Sequence, residues 1–158
     1  FAIRMLIADA AEVARRPDLR EASLKAAVDL DPTQVGPLLG LLLIAQEQKD
    51  DEKIVALLKK IVALSEHDAG AHRELLERLV ARGQFDEAVS LGEDAIWVDL
   101  LGFDTHYAFA RALIGKGDFK RAEFELETAL LCQAEADQTS EAKTKLQEVR
   151  AKLGRRGK

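Results

Sequence analysis

The chain has 158 residues, enough for one domain or one run of repeats, and 47% of them are hydrophobic, which excludes a generically disordered protein. Its net charge of -5 argues against a nucleic-acid partner, since nucleic-acid modules usually carry a basic excess on one face. A single cysteine excludes an internal disulfide framework and the cysteine-rich zinc folds, and no metal or cofactor is predicted.

An apolar helix is predicted at the N-terminus, where Phe1, Ile3, Met5, Leu6 and Ile7 occur within seven residues. A helix of this composition is too apolar to face water. We therefore expect a second copy of the chain (a homodimer) or an upstream domain to cover it. The chain begins with Phe rather than Met, which indicates a processed product or a fragment of a longer protein.

The densest apolar run is 38–45, in the next predicted helix pair. It is far shorter than the roughly 20 residues that a membrane helix needs. The sequence therefore predicts a soluble protein without a membrane partner, in the cytoplasm or the bacterial periplasm. The helix that contains this run is apolar almost all round, and such helices are normally buried on every side.

A 34-residue period is visible in the second half of the chain. The segments 83–88 and 117–122 both read G-x-F-x-x-A. Apolar residues around them recur at helical spacing, and no helix could cover its apolar face alone, so neighbouring helical hairpins must stack. The same offset relates Ala95 to Ala129, His72 to His106 and Leu79 to Leu113. The period predicts four helix-turn-helix units, at 1–34, 35–68, 69–102 and 103–136.

A 34-residue helix-turn-helix unit with G-x-F-x-x-A and a later alanine resembles the tetratricopeptide repeat, or TPR. The resemblance spans 1–136 and is strongest in the third and fourth units. It implies an all-α, right-handed α-solenoid of about four repeats with a concave inner surface. The first two units depart from the family pattern, since Pro17 and Asp51 replace the phenylalanines that open the second helices of the later units.

In the TPR family the fold is a binding scaffold and not a catalyst. The resemblance therefore implies a non-enzymatic protein that binds another protein through the first helix of each repeat, on the concave side. Carried over to this chain, the binding positions are Met5, Asp9, Leu39, Leu43, Arg73, Glu77, Tyr107 and Arg111. A final helix that stacks as a fifth first-type helix adds Glu141 and Lys145.

The implied binding surface is apolar in its first half and charged in its second. Met5, Leu39 and Leu43 offer contacts to apolar anchors, whereas Arg73 and Arg111 can form charge-assisted hydrogen bonds to carboxylates or phosphates. The sequence predicts a partner peptide or helix with both apolar and acidic residues. The alternative hypothesis is an accessory or oligomerisation domain of a larger, bacterial enzyme, in which other residues cover the apolar half.

Several residues with potential chemistry have a structural interpretation. His72 and His106 stand where the family has its packing tryptophan, so a helix contact explains them better than a metal site. Cys132 has no paired base in sequence and is interpreted as a small buried hydrophobe. Trp97 is expected to pack between neighbouring repeats rather than to anchor a partner. The run 115–117, Gly-Lys-Gly, is interpreted as the turn between two helices and not as a phosphate loop.

The segment 137–158 is predicted to be a capping helix with a basic tail. Residues 143–158 carry a net charge of +6, against -11 for the rest of the chain. Apolar residues recur at i, i+3 and i+7, as in an amphipathic helix, at Leu146, Val149 and Leu153. The helix would close the solenoid with its polar outer face, and 154–158 are expected to fray. The tail lacks the aromatic residues that stack on bases, so RNA is not favoured as a partner.

Overall fold

The computed structural model describes residues 1–156, and the side chains of 1–154. Throughout this range the chain is all-α, as predicted, with nine helices and no β-strand. The helices are α1 (Ala2–Val13), α2 (Pro17–Leu30), α3 (Val35–Glu47), α4 (Asp51–Leu64), α5 (Ala69–Ala81), α6 (Phe85–Val98), α7 (Phe103–Lys116), α8 (Phe119–Leu131) and α9 (Ala136–Arg156). None of these helices is both long and apolar enough to cross a membrane.

The turns inside the four helical hairpins share one backbone conformation. Arg15, Lys49, Gly83 and Gly117 lie 34 residues apart and all have positive φ, at 53°, 56°, 70° and 77°. In each turn the N–H of the following residue donates to a carbonyl five residues back, as Gln84 does to Leu79 at 2.9 Å. This bond satisfies a carbonyl at the helix end and reverses the chain direction.

Three helices begin with an aspartate whose side chain caps the first turn. Asp50, Asp68 and Asp118 each accept a hydrogen bond from the backbone N–H three residues later, at 3.0–3.3 Å. Each bond satisfies one of the donors that the first helical turn leaves without an intrahelical partner. These aspartates therefore set where α4, α5 and α8 begin.

The helices form two compact units. Unit 1 is Phe1–His67 and contains α1 to α4, and unit 2 begins at Asp68 and contains α5 to α9. Alanines at repeat-equivalent positions are buried in their units. They are Ala8 in unit 1 and Ala88, Ala95, Ala110, Ala122 and Ala129 in unit 2.

Two sequence-based boundaries are wrong. α7 continues through Gly115 and Lys116, so only Gly117 forms the turn that was expected over 115–117. Gly115 lets α7 approach α6 closely, because a Cβ there would lie 2.3 Å from the Phe85 ring. α9 continues to Arg156, so 154–156 are helical where fraying was expected, and the rest of that prediction, at 157–158, lies outside the described residues.

Candidate functional site

Unit 2 brings together the four predicted binding residues of α5 and α7. Arg73 and Glu77 lie one turn apart on α5, and Tyr107 and Arg111 lie one turn apart on α7. Residues at this spacing share one face of a helix, and α5 packs against α7. We call the surface formed by these four residues the arginine face.

The charges of the arginine face are close enough to affect one another. The Glu77 side chain is exposed, but partial burial of its carboxyl group raises its pKa, and the nearby Asp104 carboxylate raises it further. Arg73 and Arg111 act in the opposite direction, because their positive charges favour the ionised form. Asp104 is a member of this charge cluster that the repeat positions did not indicate.

The two guanidinium groups of the arginine face are available for a ligand. Arg73 is half-buried and Arg111 is exposed. Neither guanidinium group forms a hydrogen bond or an ion pair with a residue whose side chain the structure describes. An unpaired guanidinium can bind a carboxylate or a phosphate through two parallel hydrogen bonds, so this face can bind an anion.

Tyr107 is already bonded within unit 2. Its ring stacks on Phe103, with 5.6 Å between the ring centroids, and its hydroxyl donates to Oε1 of Glu141 on α9 at 2.8 Å. Burial, together with this hydrogen bond, raises the pKa of the Tyr107 hydroxyl. A second bond, from Nε2 of Gln138 to Oδ1 of Asp104 at 2.9 Å, also joins α9 to α7.

The predicted residues on α9 are likewise engaged within unit 2. Glu141 accepts the hydrogen bond from Tyr107, and Lys145 forms an ion pair with Glu148 at 3.0 Å. Tyr107 and Glu141 therefore join α7 to α9, and Lys145 pairs along α9. Arg73 and Arg111 keep their guanidinium groups without a hydrogen bond or ion pair to a described residue.

Unit 1 places its predicted residues in different environments. Leu39 and Leu43 lie one turn apart on α3 and are 41% and 52% exposed. Asp9 is exposed on α1, but Met5 is half-buried and packs against the core cluster of Ala8, Leu24 and Ile44. Leu39 and Leu43 thus form a small apolar surface, whereas Met5 belongs largely to the core.

The expectation that the apolar helix at 38–45 would be buried on every side is wrong. Only one side of α3 is buried, through Leu38, Leu42 and Ile44. α3 packs on α2 and α4, while the side chains of Leu39 and Leu43 stay exposed.

The two repeat-equivalent histidines are buried and hydrogen-bonded. His72 Nδ1 lies 2.9 Å from the Asp68 carbonyl oxygen. His106 Nδ1 lies 2.7 Å from Oε2 of buried Glu125, and its Nε2 lies 3.1 Å from the Leu100 carbonyl oxygen. The hydrogen bond to Glu125 raises the pKa of His106, although burial alone would lower it. Both histidines make contacts within unit 2, in keeping with the packing interpretation.

Trp97 contradicts the expectation that it packs between repeats. Its side chain is 76% exposed at the end of α6, and Leu100 and Leu101 beside it are also exposed. Cys132 is half-buried and not fully buried, and its thiol lies 3.4 Å from the Thr128 carbonyl oxygen. Burial raises the pKa of the Cys132 thiol, which opposes the thiolate form that a catalytic cysteine needs.

Among the described residues, no group of three histidine, cysteine, aspartate or glutamate side chains is placed to hold a metal ion.

Antiparallel helical hairpins whose turns have positive φ at 34-residue spacing define a helical-repeat fold of the tetratricopeptide type.

Solved structures share this fold. No protein-family model and no curated protein matches the sequence. The crystal structure of MamA protein is 19% identical, with a TM-score of 0.69 over 97% of this chain and 87% of that one. TTC0263, a thermophilic TPR protein of Thermus thermophilus, is 19% identical, with a TM-score of 0.58 over 98% and 83%. PcrH, solved in complex with the chaperone binding region of PopD, is 17% identical, with a TM-score of 0.65 over 73% and 90%.

These likenesses show the fold, and they confirm that the chain has the tetratricopeptide-repeat architecture that its sequence predicts.

Proposed function

We propose that the chain is a non-catalytic scaffold that binds a peptide or helix of another protein. The observation that carries the proposal is the arginine face, where neither Arg73 nor Arg111 forms a hydrogen bond or an ion pair with a described residue. Leaving two guanidinium groups unpaired on a structured face has no benefit for folding, whereas it suits recognition of an acidic segment. The fold of PcrH, which is solved with a region of PopD, supports a protein partner.

The proposed ligand carries acidic residues for the arginine face and apolar residues for a separate surface on unit 1. Carboxylates of the ligand would pair with Arg73 and Arg111, and Glu77 would discriminate against ligands with more negative charge. Leu39 and Leu43 offer an apolar surface of the same protein to apolar side chains of a partner. The proposal includes neither a nucleic acid nor a membrane as partner.

The experiment is a pull-down that compares the chain with the double variant Arg73→Glu/Arg111→Glu by mass spectrometry. We expect a prey that the unmodified chain retains and the double variant loses by about tenfold or more, because both anion-binding groups are reversed in charge. Lys120→Glu/Lys143→Glu is the matched control, since it changes the net charge equally at exposed positions on α8 and α9. Equal loss in both double variants, or loss in neither, would reject the arginine face.

The alternative function, an accessory or oligomerisation domain of a larger enzyme, has support at α1. Ile3 is 74% exposed, and Phe1 and Leu6 are exposed as well. Contiguous apolar residues on one helix favour contact with a further domain or a second copy. The test is Ile3→Ser/Leu6→Ser: the alternative requires this variant to lose an association that Arg73→Glu/Arg111→Glu retains, as measured by analytical ultracentrifugation.

A further inference from the structure

An apolar groove lies on unit 1 between α2 and α4, with α3 as its floor. Its main section has a volume of about 360 Å³ and adjoins a second section of about 260 Å³. The two sections share Val28, Leu38 and Lys60. The apolar lining of the main section also includes Leu41, Ile44, Ala45, Ala56 and Leu57. This groove is separate from the arginine face, which lies on unit 2.

Unit 2 shows how the same arrangement of helices is filled. α6, α7 and α8 each begin 68 residues after α2, α3 and α4. Phe109, which corresponds to Leu41, is fully buried, and a Cβ on Gly92 would lie only 2.2 Å from its ring. Arg121 lies 5.5 Å from the centre of the Phe109 ring and pairs with Glu93 at 2.7 Å, which joins α8 to α6 over the ring.

Unit 1 cannot close its groove in this way, because both positions of that ion pair are lysines. Two like charges cannot form that ion pair. Lys53 pairs instead with Asp50 at 2.9 Å, and Lys25 pairs with Glu21 at 2.7 Å; Glu21 also attracts Lys53. Ala56, in the wall of the groove, corresponds to Phe124 of unit 2. The groove has Leu41 where its counterpart has the buried ring of Phe109, so it lacks the aromatic side chain that fills unit 2.

We propose that Trp97 of a second copy of the chain occupies this groove. Trp97, Leu100 and Leu101 are exposed together at the end of α6, and Leu101 reaches 84% exposure. Tryptophan combines a large apolar area with few rotatable bonds, which is why it is enriched at the centres of interfaces. The groove is large and apolar enough to bury an indole ring, and Trp97 has no such burial within its own unit.

The charges around the two surfaces are complementary. Residues 94–99 contain Asp94 and Asp99 and no basic residue, and the carboxyl end of α6 adds a partial negative charge. The groove is rimmed by three lysines and two acidic residues. Lys60 forms no hydrogen bond or ion pair with any described residue, so its ammonium group is available to the acidic end of α6.

A contact between two different surfaces of the same chain is heterologous, so each molecule can donate a tryptophan and accept one. One variant can therefore remove the donated tryptophan, and another can block the accepting groove. Trp97→Ala keeps the groove, whereas Ala56→Phe adds a ring to the wall of the groove and keeps the tryptophan. Ala56 is exposed, so the added ring does not disturb the core. The inference does not depend on the function proposed for the arginine face.

The test measures self-association of the full chain from about 1 μM to 1 mM by sedimentation equilibrium and by tryptophan emission. Trp97 is the single tryptophan, so its emission reports this contact alone. We expect the mass to rise with concentration and the emission to move to shorter wavelength as the indole leaves water. Trp97→Ala and Ala56→Phe should each weaken association by at least about tenfold.

Mixing the two variants gives the decisive result. Trp97→Ala contains no tryptophan, so all indole emission in the mixture comes from Ala56→Phe. A shift of this emission when Trp97→Ala is added, together with formation of a 1:1 complex, would show that one Trp97 occupies one groove. Phe124→Ala and Ala151→Phe are the controls, since they make the same changes at exposed positions outside both surfaces. A chain that stays monomeric with constant emission, association that survives either variant, or variants that do not pair when mixed would each overturn the proposal. A groove that takes a different protein gives the first of these outcomes.

Discussion

Lys49 holds a backbone conformation that glycine holds in unit 2. Its φ of 56° lies in the left-handed region, where a side chain costs about 1–2 kcal/mol, and its counterpart 34 residues later is Gly83. We expect Lys49→Gly to raise the free energy of unfolding by about 0.5–1 kcal/mol, because relief of strain exceeds the entropy that glycine adds to the unfolded chain. Urea denaturation followed by circular dichroism measures the change.

Gly83→Ala is the reciprocal control for this prediction. Alanine at a φ of 70° should lower the free energy of unfolding by about 1 kcal/mol. If Lys49→Gly is destabilising while Gly83→Ala behaves as expected, strain at Lys49 is not the reason for the difference between the two turns.

His106 gives the fold a dependence on pH. Its hydrogen bond to Glu125 raises its pKa in the folded chain above the ordinary value near 6.5. A pKa raised by folding stabilises the fold fully below the unfolded value, and this contribution is lost as pH rises through the folded value. We expect the free energy of unfolding to fall as pH increases above about 6.5, which denaturant titrations at a series of pH values will measure.

The variant His106→Gln isolates this contribution from the other titrating groups. It cannot carry the charge, so its stability should lose this slope, and it should be less stable by about 1–3 kcal/mol at low pH because Glu125 loses a charged partner. His67→Gln, at an exposed position, should keep the slope of the unmodified chain. The same slope in all three proteins would contradict a pKa of His106 that is raised by folding.

At the scale of elements, small residues control how closely two helices approach. Ala88 and Ala122 are fully buried at the starts of α6 and α8. We expect Ala88→Leu or Ala122→Leu to lower the free energy of unfolding by about 1–3 kcal/mol, because the added methylene groups have no space. Ala81→Leu, at an exposed position on α5, is the matched control and should change stability by less than about 0.5 kcal/mol. Unchanged stability in both buried variants would contradict the repeat register.

At the scale of the whole molecule, the last helix completes unit 2. Phe103, Ala129 and Ala142 form one buried cluster, so α9 covers apolar surface that α7 and α8 would otherwise expose. Leu146 is buried on the same helix, and Leu146→Ala should lower the free energy of unfolding by about 2–4 kcal/mol. Thermal unfolding measures the loss, and Lys143→Ala, which is exposed on α9, should unfold close to the unmodified chain.

A variant Leu146→Ala that is as stable as the unmodified chain would show that α9 does not act as a cap. That result would leave the terminal repeat to be stabilised by α7 and α8 alone, which repeat architectures generally do not achieve without a polar-faced end.

Much of the fold follows from local signals in the sequence. The glycines at 83 and 117, the alanines that follow them and the helical spacing of apolar residues predicted stacked hairpins without reference to distant contacts. The pattern was weaker in the first half, because Arg15 and Lys49 occupy the turn positions that glycine marks later. Their turns form because hydrogen bonding and packing of the two flanking helices offset the local strain.

The candidate site was only partly predictable. The repeat positions identified Arg73, Glu77, Tyr107 and Arg111 as neighbours, because equivalent positions on packed helices share a face. They did not predict that Tyr107 bonds to Glu141, since that requires the exact placement of α9. Trp97 was expected to be covered, because large apolar residues usually are, but no helix of unit 2 reaches it.

The sequence by itself determined the helices, their 34-residue period and the class of fold, because turn residues and apolar periodicity act over a few residues. Only the tertiary structure decided which charges are free and which grooves are open. Lys25 and Lys53 cannot pair across the groove of unit 1, whereas Glu93 and Arg121 pair across its counterpart. The physical reason is that pairing and burial depend on which side chains meet across helices, and those contacts join residues about 28 positions apart in the chain.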